Sequence, residues 1–168
     1  MLGRRSPLNH RCKSSNYLAL NTQINSSNLG YHSLKNYNKL NCLIINEREL
    51  RYELRDKNSK IEILMKQLSK KQKVKNLIVT RGSQGSILFN NLSKRFFYCP
   101  ALANKIVDKI GAGDSMLSLM SLALFVKFNE DSSLLTGSLA AAQSVETIGN
   151  KKSINKISLM KSLKYLLK

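Results

Sequence analysis

Short apolar runs of strand length alternate with stretches of helical periodicity along this chain. Tyr17-Leu18-Ala19-Leu20-Asn21 and Cys42-Leu43-Ile44-Ile45 read as buried strands, the second closed by Asn46. Leu77-Ile78-Val79-Thr80, rich in β-branched side chains, reads as a third and runs towards Gly82. Ser86-Ile87-Leu88-Phe89 and Phe96-Phe97-Tyr98 flank Asn90-Asn91 and predict a hairpin. Between these runs, Asn25 to Gly30 has turn composition, and Leu29 to Leu40 has room for a short helix. The pattern turns helical from Glu47. A longer helix is expected from Ser59 to about Lys70, with Ile61, Leu64, Met65 and Leu68 on one face. The run from Met116 to Phe128 is apolar nearly all round, which predicts a helix buried on more than one side. Asp131 or Ser132 is the expected cap of a further helix that carries Ala140-Ala141-Ala142 and reaches Thr147. Ile154 to Leu167 reads as a Lys-rich amphipathic helix with Ile157, Met160, Leu163, Tyr165 and Leu166 among its apolar positions. Residues 1 to 15 show no periodicity and read as a loose tail ahead of a single domain over 16–168.

Strands separated by helices predict an α/β fold, a mainly parallel sheet with helices on both faces. Ligands bind such sheets outside the carboxyl ends of the strands, where Asn46, Thr80 and Asp108 are expected to fall.

Composition narrows the class. A chain of 168 residues with a 42% hydrophobic share can bury a real core, which excludes wholesale disorder. No apolar run reaches the roughly 18 residues of a membrane span. The N-terminus carries Arg4, Arg5 and Arg11 without an apolar segment, unlike a secretory signal. Cys12, Cys42 and Cys99 are odd in number and widely spaced, and read as reduced, packed thiols of a cytoplasmic protein. The net charge of +18 comes from 20 Lys and 8 Arg against 10 acidic residues. These cations are mostly Lys and spread out, with one dense run from Lys66 to Lys75, and no zinc-finger spacing or aromatic RNA-binding motif accompanies them. A solvated basic surface that draws in an anionic nucleotide is therefore preferred over a dedicated nucleic-acid surface.

The chemistry concentrates in Asp108-Lys109-Ile110-Gly111-Ala112-Gly113-Asp114, immediately before an apolar helix. Two glycines allow a tight turn, and a helix start adds unpaired N–H groups and the positive end of the helix dipole. That combination makes an anion site, at whose mouth Asp114 is placed to take a proton from a hydroxyl. The other reading of this stretch is a capped turn, with Asp114 as N-cap and nothing bound.

These residues resemble the second signature of the PfkB, or ribokinase-like, carbohydrate kinases. Asn46-Glu47-Arg48-Glu49 has the form of that family's N-x-x-E motif after a strand, and Thr80-Arg81-Gly82-Ser83-Gln84-Gly85 resembles its T-x-G-x-x-G nucleotide loop. Ala140 through Val145 to Gly149 and Ser153 resembles its Ala-rich helix and following loop. Four motifs in order make the resemblance specific. It covers roughly residues 17 to 167 and implies a three-layer ribokinase-like (Rossmann-like) fold that lacks the N-terminal half. It also implies an ATP-dependent sugar kinase acting on a sugar or sugar phosphate. Asp114 matches the general base, and Gly111, Ala112 and Gly113 match the anion hole for the transferred phosphoryl group. Asn46 and Glu49 match the pair that organises Mg2+ and its waters; for Glu49 the alternative is an ordinary surface acid. Thr80, Gly82 and Gly85 match nucleotide contacts, against a plain strand-turn-strand. Asp108, Ile110, Gly149 and Ser153 fall where relatives place a monovalent cation such as K+. Asn21-Thr22-Gln23-Ile24-Asn25 with Gly30-Tyr31, and Tyr98-Cys99-Pro100-Ala101-Leu102-Ala103, look like kinase domains fused to a nucleotidylyltransferase in surface-polysaccharide or heptose metabolism. The absent half implies an open sheet edge and either a fragment, a split gene product whose partner chain supplies the missing part, or a decayed kinase, with no membrane partner. Rival readings are a non-catalytic nucleotide-binding or interaction module that retains the fold, and a basic nucleic-acid-binding protein.

Overall fold

A computed structural model describes residues 17–22, 34, 37, 39–103, 105–146 and 153–166. Five strands form one sheet in the order of the chain: β1 (Ala19–Asn21), β2 (Cys42–Asn46), β3 (Asn76–Thr80), β4 (Ser86–Asn90) and β5 (Arg95–Cys99). β1, β2 and β3 are parallel, and β4 and β5 extend the sheet antiparallel as the expected hairpin. α1 (Glu47–Leu54) and α2 (Ile61–Lys71) link β2 to β3, and α3 (Ala112–Phe125), α4 (Glu130–Val145) and α5 (Lys156–Leu166) follow β5.

Alternation along the strands sorts the core into two clusters, one per face. Leu43, Ile45, Leu77 and Val79 join Leu50, Leu64, Met65 and Leu68 of α1 and α2. Their neighbours Ile44, Ile78 and Leu88 join Met116 and Met120 of α3 and Leu134 of α4. The three-layer α/β architecture expected from the sequence is present, with strand runs buried on both faces as central strands require.

The differences from the sequence reading have local causes. α4 is capped by Asn129, whose side chain accepts from the Ser132 N–H at 2.8 Å, so Asp131 and Ser132 lie inside the first turn. α3 begins at Ala112, earlier than its apolar run, and buries one side only. Met116, Met120 and Ala123 are buried, whereas Leu122, Phe125, Val126 and Phe128 are 52–60% exposed. α5 buries Leu159 alone, and the apolar positions Ile157, Met160, Tyr165 and Leu166 are exposed. Asp108 is not at a strand end; it lies in the loop after β5, whose Val107 and Asp108 N–H groups donate to the Val145 carbonyl at the end of α4. The tail over 1–15, the turn over 25–30, most of the short helix over 29–40, and Thr147 and Gly149 lie outside the described residues.

No helix among the described residues is long and apolar enough to cross a membrane. Cys42 and Cys99 are free and buried, as expected for packed thiols, and burial pushes the Cys42 thiol up to about 12, far from a reactive thiolate. Cys12 lies outside the described residues.

Candidate active site

The carboxyl ends of β1, β2 and β3 and the start of α3 surround a cavity of about 730 Å³. Thr22, Asn46, Glu49 and Thr80 line it from the strand ends, and Gly111 to Asp114 line it from the helix. This volume suits a nucleotide-sized ligand, and the position is the usual one for a parallel sheet.

Gly111 is the N-cap of α3 and adopts φ 82°, a left-handed conformation that glycine takes without strain. The turn is tightened by Asp108, whose carboxylate accepts from the Ile110 N–H at 3.0 Å. No side chain among the described residues caps α3, and the first helical bond runs from the Ser115 N–H to the Gly111 carbonyl. The N–H groups of Ala112, Gly113 and Asp114 thus sit at the positive end of the helix dipole, on the cavity wall. Asp114 is the third helical residue, so the reading of Asp114 as N-cap does not hold. Its carboxylate is exposed and accepts from the Asn21 amide at 2.9 Å. Gly113 needs no unusual backbone angle. A Cβ there would lie 2.8 Å from the Asn21 Nδ2, so this glycine makes room for Asn21.

Asn46 and Glu49 form a reciprocal capping box at the start of α1. The Asn46 Oδ1 accepts from the Glu49 N–H at 2.8 Å, and the Glu49 Oε2 accepts from the Asn46 N–H at 3.1 Å. Glu49 is only 7% exposed and also accepts from the Thr22 hydroxyl at 3.1 Å, so it is no ordinary surface acid. Behind this box, Glu47 bonds Arg51 at 2.8 Å and Arg81 at 2.9 Å, tying α1 to the loop after β3. Partial burial opposes ionisation of Glu47, but the hydrogen bonds and charges of Arg81 and Arg51 outweigh it and hold the carboxyl below its ordinary value of 4.5. A depressed folded-state value stabilises the fold above the unfolded value and is lost as pH falls through the folded one. The difference in Tm between the parent and Glu47→Gln is therefore expected to be largest at neutral pH and to shrink below about pH 4, as read by thermal unfolding across pH.

The loop from β3 to β4 is a single 3-10 turn, Gly82–Gln84. Gly82 has φ 59° with open space around its Cβ position. Gly85 has φ 82°, and a Cβ there would lie 2.1 Å from the Cys99 carbonyl oxygen. Gly82, Ser83 and Gly85 face the same cavity as α3. The Ser86 hydroxyl lies 2.9 Å from the Ser138 hydroxyl, joining β4 to α4 behind the loop.

The structure brings Asn46, Glu49, Thr80, Gly82, Gly85, Ile110, Gly111, Ala112, Gly113 and Asp114 to one cavity. Asp108 reaches it only through the turn that it closes, Ser153 is exposed ahead of α5, and Gly149 is outside the described residues. Among the described residues no group of three His, Cys, Asp or Glu side chains could hold a metal by itself. The sequence reading gave no role to Asn21, Thr22 or the Glu47–Arg81 pair. The signal was present for the first two, a polar pair directly after an apolar strand, at the position where such sheets bind ligands.

Residues 8–157 match the profile of the pfkB family carbohydrate kinases. The chain belongs to this family. Bifunctional protein HldE of Campylobacter fetus subsp. fetus is 34% identical to it over 86 residues, which span 51% of this chain and 18% of that protein. Ribokinase from Thermotoga maritima superposes with a TM-score of 0.73 at 24% identity, over 90% of this chain and 50% of that one. Phosphofructokinase-2 from Escherichia coli in complex with potassium gives 0.73 at 18% identity, over 90% and 48%. Ribokinase from Arabidopsis thaliana complexed with ribose and ATP gives 0.62 at 26% identity, over 74% and 41%. The chain thus spans about half the length of the solved kinases named above and 18% of the curated relative.

Proposed function

We propose that this chain is the nucleotide-binding half of an ATP-dependent sugar kinase, which transfers the γ-phosphoryl group of ATP to a carbohydrate hydroxyl. The observation that carries the reading is the convergence, on one cavity, of an uncapped helix N-terminus with the Asp114 carboxylate beside it. Asp114 takes the proton of the acceptor hydroxyl, whose oxygen forms a bond to the γ-phosphorus while the bond to the β–γ bridging oxygen breaks and ADP leaves. The N–H groups of Ala112, Gly113 and Asp114 stabilise charge on the phosphoryl oxygens, which is most of what such a transfer needs. Thr80, Gly82 and Gly85 place the nucleotide along the loop after β3.

Mg2+ neutralises the phosphates when bound. Asn46 and Glu49 suit it through waters, because their capping bonds hold both side chains still and a carboxylate has lone pairs to spare for metal-bound water. For a monovalent cation such as K+, Asp108, Ile110, Gly149 and Ser153 remain the assigned positions. Support comes from the docking of the 107–108 segment on the C-terminal, negative end of α4. The relatives' ribose, ATP and potassium complexes support the ligand classes. A cytoplasmic setting and a further polypeptide segment bearing the sugar contacts complete the reading; the exposed apolar row on α3 supports the latter. The same row favours the second reading, a non-catalytic interaction module.

Thermal unfolding of the purified chain with millimolar Mg-ATP separates the two. At 100 times its dissociation constant a ligand adds about 2.7 kcal/mol, a rise of several degrees for a domain of this size. The kinase reading expects that rise in the parent and its loss in Gly111→Val, where a β-branched residue cannot hold the left-handed cap. No rise in a parent that melts cooperatively hands the assignment to the interaction module.

A further inference from the structure

Leu18 and Leu20 of the β1 segment pack with α1 and α2, and Tyr17 and Ala19 pack with α3 and α4. Continuing that alternation through the last residue of β1 and one beyond it sends Asn21 to the α3 face and Thr22 to the α1 face. The hydrogen bonds follow the same division: the Asn21 Nδ2 donates to the Asp114 Oδ1 at 2.9 Å, and the Thr22 Oγ1 donates to the Glu49 Oε2 at 3.1 Å. The backbone between them is fixed, because the Thr22 N–H donates to the Ile44 carbonyl at 3.0 Å.

We infer that Asn21 and Thr22 are a positioning pair that sets the proposed base and the proposed Mg2+-organising carboxylate in a constant relation across the cavity. The inference rests on the kinase reading. An amide cannot accept the proton of a hydroxyl in place of Asp114, but it can fix which oxygen of Asp114 does so. The charge-assisted bond engages Oδ1 and leaves Oδ2 to meet the acceptor hydroxyl. The amide orientation is forced, since its oxygen turned towards the carboxylate would meet only repulsion. Gly113 belongs to the same device, because any side chain there would displace the Asn21 amide. Thr22 does for Glu49 what Asn21 does for Asp114, one residue along and on the opposite face.

The test is a double-mutant cycle on the full chain with Asn21→Leu, which keeps the volume and removes the donor, and Asp114→Ala, which removes the acceptor, read first as thermal unfolding without ligand. Non-additive Tm changes are expected for a formed bond, and additive ones overturn the inference. The second reading is ADP formation from Mg-ATP with D-ribose and with fructose 6-phosphate as acceptor probes. Asn21→Leu is expected to lower kcat by roughly 10- to 100-fold with the KM for ATP within about twofold, and to add nothing in the Asp114→Ala background. A kcat unchanged by Asn21→Leu, or a loss that multiplies with that of Asp114→Ala, overturns the positioning role. A parent chain that does not bind Mg-ATP fails the kinase reading instead; in one that binds it without turnover the ligand-free cycle decides, and additivity there overturns the inference. Asn21→Ala serves as the second variant should Asn21→Leu not fold.

Discussion

Asp114→Asn is expected to cut phosphoryl transfer by roughly 100- to 10,000-fold, while Mg-ATP raises its Tm as much as it raises the parent's. The substitution exchanges one oxygen for an amide nitrogen and leaves the outline of the side chain intact. Its remaining oxygen can still accept from the Asn21 amide, so the local geometry is kept. The helix N–H groups that face the cavity are backbone and do not change. The negative charge is lost, and with it the capacity to take a proton. ADP formation with D-ribose or fructose 6-phosphate, set beside thermal unfolding with Mg-ATP, reads the two properties separately. Transfer within about threefold of the parent would remove Asp114 from the base role and leave the anion site standing. Loss of both turnover and the Tm rise would mean that the substitution had disturbed the start of α3.

The parts of the fold that were legible in the sequence are those with a repeating physical cause. Continuous apolar runs mark β2 and β3 because both faces are covered, and the i, i+3, i+4 spacing marks α2 because one side only meets the sheet. The candidate site was legible where glycine is required by the backbone, as at Gly111, and where a motif of the resembled family follows a strand, as at Asn46 and Glu49, which the fold uses as a capping box. Less could be read where two segments far apart in the chain meet. Asn21 and Asp114 are 93 positions apart, and no spacing rule connects them. Gly113 looked like a flexible turn residue, yet its role is steric and depends on Asn21. The burial of α3 was misjudged for a related reason. An apolar helix implies partners on several sides, whereas the described residues supply the sheet and α4 on one side and leave Leu122, Phe125 and Val126 exposed.

The two glycines of the loop after β3 are expected to respond to the same substitution by very different amounts. Gly82 has φ 59°, inside the small left-handed region that other residues can enter, and nothing lies within 4 Å of its Cβ position. Gly82→Ala is therefore expected to cost about 1 kcal/mol, the left-handed penalty alone. Gly85 combines φ 82° with ψ −138°, a region used essentially by glycine. Its Cβ would also stand 2.1 Å from the Cys99 carbonyl oxygen and 2.7 Å from the Pro100 carbonyl carbon. Those neighbours are backbone and cannot rotate away. The Gly85 carbonyl in turn receives the Arg81 N–H at 2.8 Å, so the loop cannot swing outward without breaking the bond that closes it. Strain and overlap together should cost roughly 3 kcal/mol or more, a fall in Tm of about 6–12 °C for a domain of this size. Thermal unfolding of the two variants side by side is the measurement. Equal Tm values would show that β4 and β5 yield at this point and that Gly85 is no more than a turn residue. A much lower Tm for Gly85→Ala makes the glycine a structural requirement of the hairpin in its own right. Its place in a nucleotide loop then reflects the need to bring that backbone close to β5 as well as to a phosphate.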